Sequence, residues 1–491
     1  MNANTKTKLA DCQPEEVAHR YLDSIRQDQA GNILFLDGEY FTFKGGCYVP
    51  FGADQVKSEL TKWLEEQRYY GLKRSVVLDV VEIVKAISTP DREVRDNDWM
   101  TTPKDETKDW EAKDLLCTPD SLINLEARRL GKSVWKVPAD HRYFSVNAVA
   151  HNFDSNVQQP VRWLEFLHSV WPEDPDSILL LQEFFGYCLT ADNTMERMLF
   201  LIGKPRAGKS LIQSAIQAVV GERNCNSMSL NDLSDKFAAS SFVRKSVGII
   251  GDSRHQNGGD RRAIELLLNI TGNDPQTLPR KYLEPIRVRL GTRLILASNE
   301  TPWFIDGSGA LNSRLLLLNF DKSFAGREDT SLKRDVRREA KSILAWAVEG
   351  FNRLRENGRF TEPESSLCLR QEFKTSSSPV SCFVDDRCSI DGSKSTPLTD
   401  LFKEFEMYAR YEGIEEVPNH GQFSKEVRSL YRGLIKSSRP RVDGERVTVL
   451  DGIGLKDEDD PSAKTPSNKL RIAPQGQGDS AECEVDRQGI G

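Results

Sequence analysis

Apolar and polar positions along the 491-residue chain change rhythm several times, and each rhythm predicts a kind of element. Residues 1–30 are polar, with the pattern of one frayed helix. Ile33–Leu36 is apolar, Asp37-Gly38 is a turn signal, and Tyr40–Phe43 alternates before Gly45-Gly46, which predicts a hairpin. Helical spacing follows over Val56–Glu66 and Ser75–Ile87. Residues 90–112 are charged and contain proline, the pattern of an exposed loop. From Leu115 to Ala150 short strands alternate with turns. From Pro160 to Leu189 the spacing is helical: Trp163, Phe166, Leu167 and Val170 share one face, and Leu179–Leu181, Phe184, Phe185 and Tyr187 continue it. That pattern predicts packing rather than chemistry.

The middle third alternates strands with helices. Met198–Ile202, Val247–Ile250, Arg293–Ala297 and Arg314–Asn319 read as strands. Ser210–Val220, Arg261–Thr271 and Asp335–Glu356 read as helices. Such alternation predicts an α/β sheet with a parallel core. The expected organisation is an accessory region over 1–150, a helical segment over 151–194, the alternating α/β core over 195–360, and a linker over 361–395. A compact unit over 396–456 and a polar, disordered tail over 457–491 follow.

Length and composition set bounds on this picture. The chain suffices for about two to four domains. It is 38% hydrophobic and 29% charged, which suits a globular protein. A net charge of -7 excludes a wholly basic nucleic-acid coat but not local basic patches. No segment approaches the roughly 20 apolar residues of a membrane helix, and the N-terminus lacks a signal-peptide core. The expected location is the cytoplasm, with no membrane partner. Nine cysteines without a CxxC pair and six scattered histidines give no zinc set, and reduced structural thiols are expected.

The chemistry begins at Gly203-Lys204-Pro205-Arg206-Ala207-Gly208-Lys209-Ser210, which matches GxxxxGK[ST] between an apolar strand and a helix. Its glycines let backbone N–H groups converge on phosphate oxygens. Lys209 supplies a positive charge for the β- and γ-phosphates, and the Ser210 hydroxyl suits Mg²⁺. The following helix, from Ser210 and Leu211, aims its positive end at the same anion. The expected cofactors are therefore ATP and Mg²⁺.

A second strand ending in an acid is needed to hold the metal and polarise water, and Val247–Gly251 runs into Asp252. An ordinary buried strand ending in a turn is the alternative. Ser253 follows Asp252, so the usual adjacent pair of acids is absent and the general base stays open. The strand Arg293–Ala297 leads to Asn299, an amide suited to orienting water, although asparagine is also common at strand ends. Arg314 stands at the mouth of another apolar strand. It reads either as a guanidinium acting across a subunit boundary or as a salt-bridged surface arginine. Between acid and amide, Leu278–Pro285 brackets Arg280, Lys281 and Tyr282 with prolines. This is either a hairpin tip that touches nucleic-acid phosphates or an exposed turn with no partner.

The order of these features resembles the superfamily-III helicases of the phage and plasmid primase family, relatives of the poxvirus-type primase-helicase. The residues that carry it are GKPRAGKS at 203–210, IIGDSR at 249–254, LLNITGNDPQTLPRKYLEP at 267–285, RLILASNE at 293–300 and SGALNSRL at 308–315. The run Leu181–Tyr187 is similar to the helical segment ahead of the motor. The resemblance spans roughly residues 30–455. It implies a P-loop, AAA+-like ATPase core in a ring, expected to be a homo-hexamer moving 3′→5′ on DNA. By that pattern Lys209, Asp252, Asn299 and Arg314 are catalytic, with Arg314 acting in trans, Ser210 and Asp252 hold the metal, and Lys281 with Arg280 contacts DNA. Neither a zinc-ligand set nor clustered carboxylates for polymerase metals are found, so no primase activity is expected in this polypeptide and a separate primase is an expected partner.

The C-terminal unit reads as two amphipathic helices and a hairpin. Leu401, Phe402, Phe405 and Tyr408 make the inner face of Leu398–Tyr411; Phe423, Val427, Leu430 and Tyr431 that of Gln422–Leu434. The outer face and exit carry Lys425, Arg428, Arg432, Lys436, Arg439 and Arg441, and Arg441–Leu455 reads as a hairpin around Asp443-Gly444. This predicts a winged-helix-like DNA-binding domain, the alternative being a small packing domain with a solvated basic face. The leading expectation is a DNA helicase for a phage, satellite or plasmid. An ATP-switched origin initiator without processive unwinding is the runner-up, and an ATPase of a packaging or defence complex a third reading.

Overall fold

The computed structural model describes residues 13–29, 32–69, 73–103, 105–251, 261–281, 283–299, 310–367, 369–370, 379–411, 414, 417–442 and 445–456. The expected tail over 457–491 lies outside them. The chain folds as two units, Met1–Lys374 and Thr375–Gly491.

In the first unit, the helix Pro14–Gln29 packs with the antiparallel strands Ile33–Leu36, Glu39–Lys44 and Cys47–Phe51 and the helices Ala53–Glu66 and Arg74–Ser88. Short strand pairs fill the region to Phe144. The helices Val161–Val170 and Pro175–Tyr187 follow; Asp174 caps the second through its carboxylate and Pro175 fits the first turn.

The centre is one parallel sheet of five strands. Their order across it is Cys225–Ser229, Val247–Gly251, Arg293–Ser298, Met198–Gly203 and Leu315–Phe320. Period-two alternation sorts the apolar residues of each strand onto two faces, both covered. Leu199, Leu201, Ile249, Ile295, Leu316 and Leu318 pack with the helices Val161–Val170 and Pro175–Tyr187. Met198, Phe200, Ile202, Ile250, Leu296 and Leu317 pack with the helix Arg261–Thr271. An antiparallel hairpin, Pro275–Arg280 with Leu283–Arg289, leaves the sheet between that helix and the strand Arg293–Ser298.

The single helix read over Asp335–Glu356 is two, Leu332–Arg338 and Ala340–Asn357. The break is at Glu339, whose carboxylate accepts the Arg162 and Trp163 amide N–H groups at 3.0 Å each. It thereby satisfies the first turn of the helix Val161–Val170, a demand made from a distant part of the chain.

The second unit has its own core of Phe383, Leu401, Phe405, Phe423, Val427, Leu450 and Ile453. The stretch read as a linker over 361–395 contains the helix Pro379–Arg387 and most of the strand Cys388–Pro397. The helices Leu398–Tyr411 and His420–Leu430 follow, the latter started by a capping box of Asn419 and Gln422. The expected hairpin over Arg441–Leu455 is instead a short pair, Arg441–Val442 with Glu445–Arg446, and a separate strand. That strand, Val449–Leu455, pairs with Cys388–Pro397 and Lys436–Ser438, because Leu450 and Ile453 belong to the core.

Candidate nucleotide site and nucleic-acid interface

The parallel strands all end on one edge, and the candidate site is built there. Gly203 closes its strand with φ +139°, and an added Cβ would lie 2.3 Å from the Phe320 carbonyl oxygen. Lys204 N–H donates to that oxygen at 3.0 Å. Gly208, at φ +103°, precedes the helix Lys209–Val220, and a Cβ there would lie 2.6 Å from the Phe166 ring. Glycine is required at both positions by backbone angle and by space. Between them Pro205 and Arg206 are exposed and Ala207 is buried. The loop after Phe320 holds this arch from outside. Ser323 Oγ donates to the Pro205 carbonyl at 2.9 Å, and Phe324 N–H donates to the Arg206 carbonyl at 3.0 Å. Arg206 itself pairs with Glu328 at 2.5 Å.

Lys209 lies in the first helical turn, and its Nζ donates to the Gly203 carbonyl and, at 2.9 Å, to that of Lys204. At 3.0 Å it also donates to Asn299 Oδ1. Strand register explains this meeting across 90 residues. Ser298 pairs with Ile202, so the next residue, Asn299, stands level with Gly203 at the same edge. Ser210 is exposed beside Lys209, and Leu211 N–H turns back to the Gly208 carbonyl at 2.9 Å as the helix begins. Asp252 lies outside the described residues; Gly251, just before it, ends its strand on this edge.

Arg314 is elsewhere. It ends the short helix Ala310–Arg314, immediately before the strand that starts with Leu315 opposite Met198. Six strand residues at about 3.3 Å each put it roughly 20 Å from its own chain's phosphate loop. Its Nη1 donates to the Leu268 carbonyl at 2.5 Å and to Thr271 Oγ1 at 3.3 Å, and Nη2 lies 3.6 Å from Glu196.

The basic hairpin forms as read, with Arg280 and Lys281 at its tip; Tyr282 lies outside the described residues. The two basic residues differ. Lys281 is exposed. Arg280 is only 13% exposed in its side chain, with Nε donating to the Glu284 carbonyl at 3.0 Å and Nη1 to the Asp37 carbonyl at 2.6 Å. Glu39 lies 3.8 Å away. In the second unit Lys425, Arg428 and Arg432 are exposed on or just beyond the helix His420–Leu430, and Arg428 Nε donates to the Ser424 carbonyl at 3.0 Å.

Comparison with known proteins adds the following. A family of unknown function (DUF5906) matches residues 201–314, the stretch from the end of the strand Met198–Gly203 to Arg314. No curated protein matches the chain. Among solved structures, the A-form apo structure of the NrS-1 C-terminal region has a TM-score of 0.51 at 10% identity, covering 90% of this chain and 100% of that one. A second apo structure of that region has a TM-score of 0.49 at 11% identity, covering 90% and 99%. The first similarity is one of fold: a mixed α/β chain around a parallel five-stranded sheet.

Several supports of the site carry no signal in the sequence. Phe166 beneath Gly208, Phe320 against Gly203, and Glu328 on Arg206 each meet the loop from more than 35 residues away. Arg244 is another: side-chain exposure is 9%, and it pairs with Asp37 at 2.6 Å and Asp96 at 2.9 Å while lying 4.8 Å over the Phe41 ring. It fastens the N-terminal strands to the parallel-sheet core beside Arg280. The Cys117 and Cys225 thiols are pushed up to about 12 by burial, which keeps them protonated at neutral pH. Among the described residues no helix is long and apolar enough to cross a membrane, and no cluster of three metal-ligating side chains occurs.

Proposed function

We propose that this chain is an ATP-hydrolysing motor that acts on DNA in replication, working as a ring of identical subunits. The observation that carries the proposal is the strand register that sets Asn299 Oδ1 3.0 Å from Lys209 Nζ at the mouth of the P-loop. The residues present fit a nucleotide with Mg²⁺. Gly203 and Gly208 shape the arch without side chains, the helix N-terminus at Gly208 carries no side-chain cap, and Lys209 and Ser210 supply cation and hydroxyl. When bound, ATP supplies the transferable γ-phosphoryl group. The loop amides and Lys209 neutralise its phosphates, Ser210 and Asp252 hold the metal, and Asn299 orients water.

Arg314, roughly 20 Å from its own loop, serves only a neighbour's nucleotide. The reading therefore requires an oligomer, for which a hexameric ring moving 3′→5′ is the specific form. Lys281 at the hairpin tip contacts DNA phosphates. The second unit, with its order helix, strand, helix, helix, strand, short pair and strand, reads as a winged-helix unit that grips duplex through Lys425, Arg428 and Arg432.

The test is strand displacement on a forked duplex with ATP, with Lys209→Ala as control. Unwinding that stops in the variant is expected. ATP hydrolysis and DNA binding without displacement on forks of either polarity would leave the ATP-switched origin initiator as the better reading. Mixing Arg314→Ala with Lys209→Ala subunits should partly restore ATPase activity. No rescue at any ratio removes the shared site.

A further inference from the structure

The sheet edge opposite the P-loop carries a second feature. A cavity of about 780 Å³ lies between the amino ends of the strands, the N-terminal region and the base of the basic hairpin. Its size falls in the range of small-molecule sites, about 300–1,000 Å³. Six cationic side chains line it, Arg95, Arg244, Lys245, Arg287, Arg289 and Arg293, against three carboxylates, Asp37, Glu93 and Asp96. Those carboxylates already have partners: Asp37 and Asp96 meet Arg244, and Glu93 lies 3.5 Å from Arg95. Arg287, on the hairpin, has no ion pair among the described residues and is exposed.

Arg293 gives the independent pointer to a ligand. The residue is 3% exposed, yet no carboxylate pairs with it among the described residues. Its Nη atoms donate to the carbonyls of Gly291, Thr190 and Asp192, its guanidinium lies 5.0 Å over the Tyr187 ring, and its Nε has no acceptor. On another wall of the cavity, Asn147 Oδ1 is buried with no donor. A buried cation met by carbonyl dipoles and a ring face but by no carboxylate, with an orphan donor and an orphan acceptor around one polar cavity, is a cost that an anion with a hydroxyl or amino group removes.

We infer that this cavity binds a small phosphorylated ligand of nucleotide size, at a site separate from the P-loop. Arg287 and Arg293 supply the charge for phosphate, and Asn147 and its neighbour Asn97 supply the amides for the remainder. The base of the basic hairpin and the first residue of the strand Arg293–Ser298 share the cavity, so a ligand there braces the hairpin against both the sheet and the N-terminal region.

The experiment is calorimetric titration of the full chain with ADP. Two ADP per chain are expected, of which Lys209→Ala removes one. Arg287→Glu combined with Asn147→Asp should weaken the other by roughly tenfold or more. Retained binding at the P-loop in that double variant shows that it is folded. In Lys209→Ala, pyrophosphate should displace the remaining ADP. A single ADP per chain that disappears with Lys209→Ala overturns the cavity site and leaves the P-loop reading standing. A second ADP indifferent to both cavity substitutions, or not displaced by pyrophosphate, overturns it as well. One ADP that survives Lys209→Ala and is lost in the double variant supports the cavity site and removes the P-loop reading instead.

Discussion

The glycine-rich loop at Gly203–Ser210 and the basic hairpin tip are both short, charged turns leaving the same α/β core, yet they are fixed in different ways. At Gly203–Ser210 the path of the chain is set locally, and distant residues only brace it: two glycines take positive φ, the helix starts at once, and Lys209 lies in its first turn. At Arg280-Lys281 the local sequence fixes only the hairpin. What each cation does is decided by the N-terminal strands, which take Arg280 onto Asp37 and Glu39 and leave Lys281 exposed. Adjacent residues of like charge thus have unlike roles: Arg280 is a fastener, while Lys281 faces outward.

Variants can break or sharpen this contrast. The largest effect is expected at Lys209→Ala, with ATPase activity lowered about 10²–10³-fold at unchanged melting temperature. A steady-state assay beside a thermal melt checks both halves. Gly208→Val should cost about 2–4 kcal/mol of stability, because its backbone angle disfavours a side chain and its Cβ would enter the Phe166 ring. Chemical denaturation measures this, and a stable, active variant would contradict the glycine requirement at this position.

Smaller effects are expected at the hairpin. Arg280→Ala should cost about 1–2 kcal/mol by loosening the hairpin from the Asp37 carbonyl and removing the bond across its tip to the Glu284 carbonyl. Lys281→Ala should leave stability within about 0.5 kcal/mol and lower DNA-stimulated ATPase activity several-fold while sparing basal turnover. If the two variants behave alike in denaturation and in DNA stimulation, the division of labour is wrong. The smallest change is expected in the second unit. Arg428→Ala should reduce the slope of log affinity against log salt for duplex DNA by about 1, read from binding at several salt concentrations. An unchanged slope would return the basic helix to a solvated surface.

Much of the fold was legible in the sequence. The helices Arg261–Thr271 and Leu398–Tyr411 fall at the bounds their periodicity implied, and the five parallel strands include the four that alternation marked. The added strand, Cys225–Ser229, is polar and lies at the sheet edge, so apolar spacing gave it no signal. The helix break at Glu339 was hidden because Glu339 suits a helix and left it only to serve Arg162 and Trp163. Val449–Leu455 was assigned to a hairpin because turn chemistry is local, whereas its partner strand begins some 60 residues earlier.

The candidate site divides along the same line. The sequence by itself determined the conformation of the glycine-rich loop, since glycine positions, a following helix and a lysine in its first turn are constraints on neighbouring residues. It also determined that Asn299 ends a buried strand. Only the tertiary structure decided that this strand lies beside the loop's own strand in a register that brings amide to ammonium. It alone placed Arg314 at the far edge, tied Arg280 inward, and enclosed a cationic cavity where the N-terminal region meets the sheet. Those arrangements depend on pairing between segments far apart in the chain, and no local rhythm of polar and apolar residues encodes which strand a given strand will join.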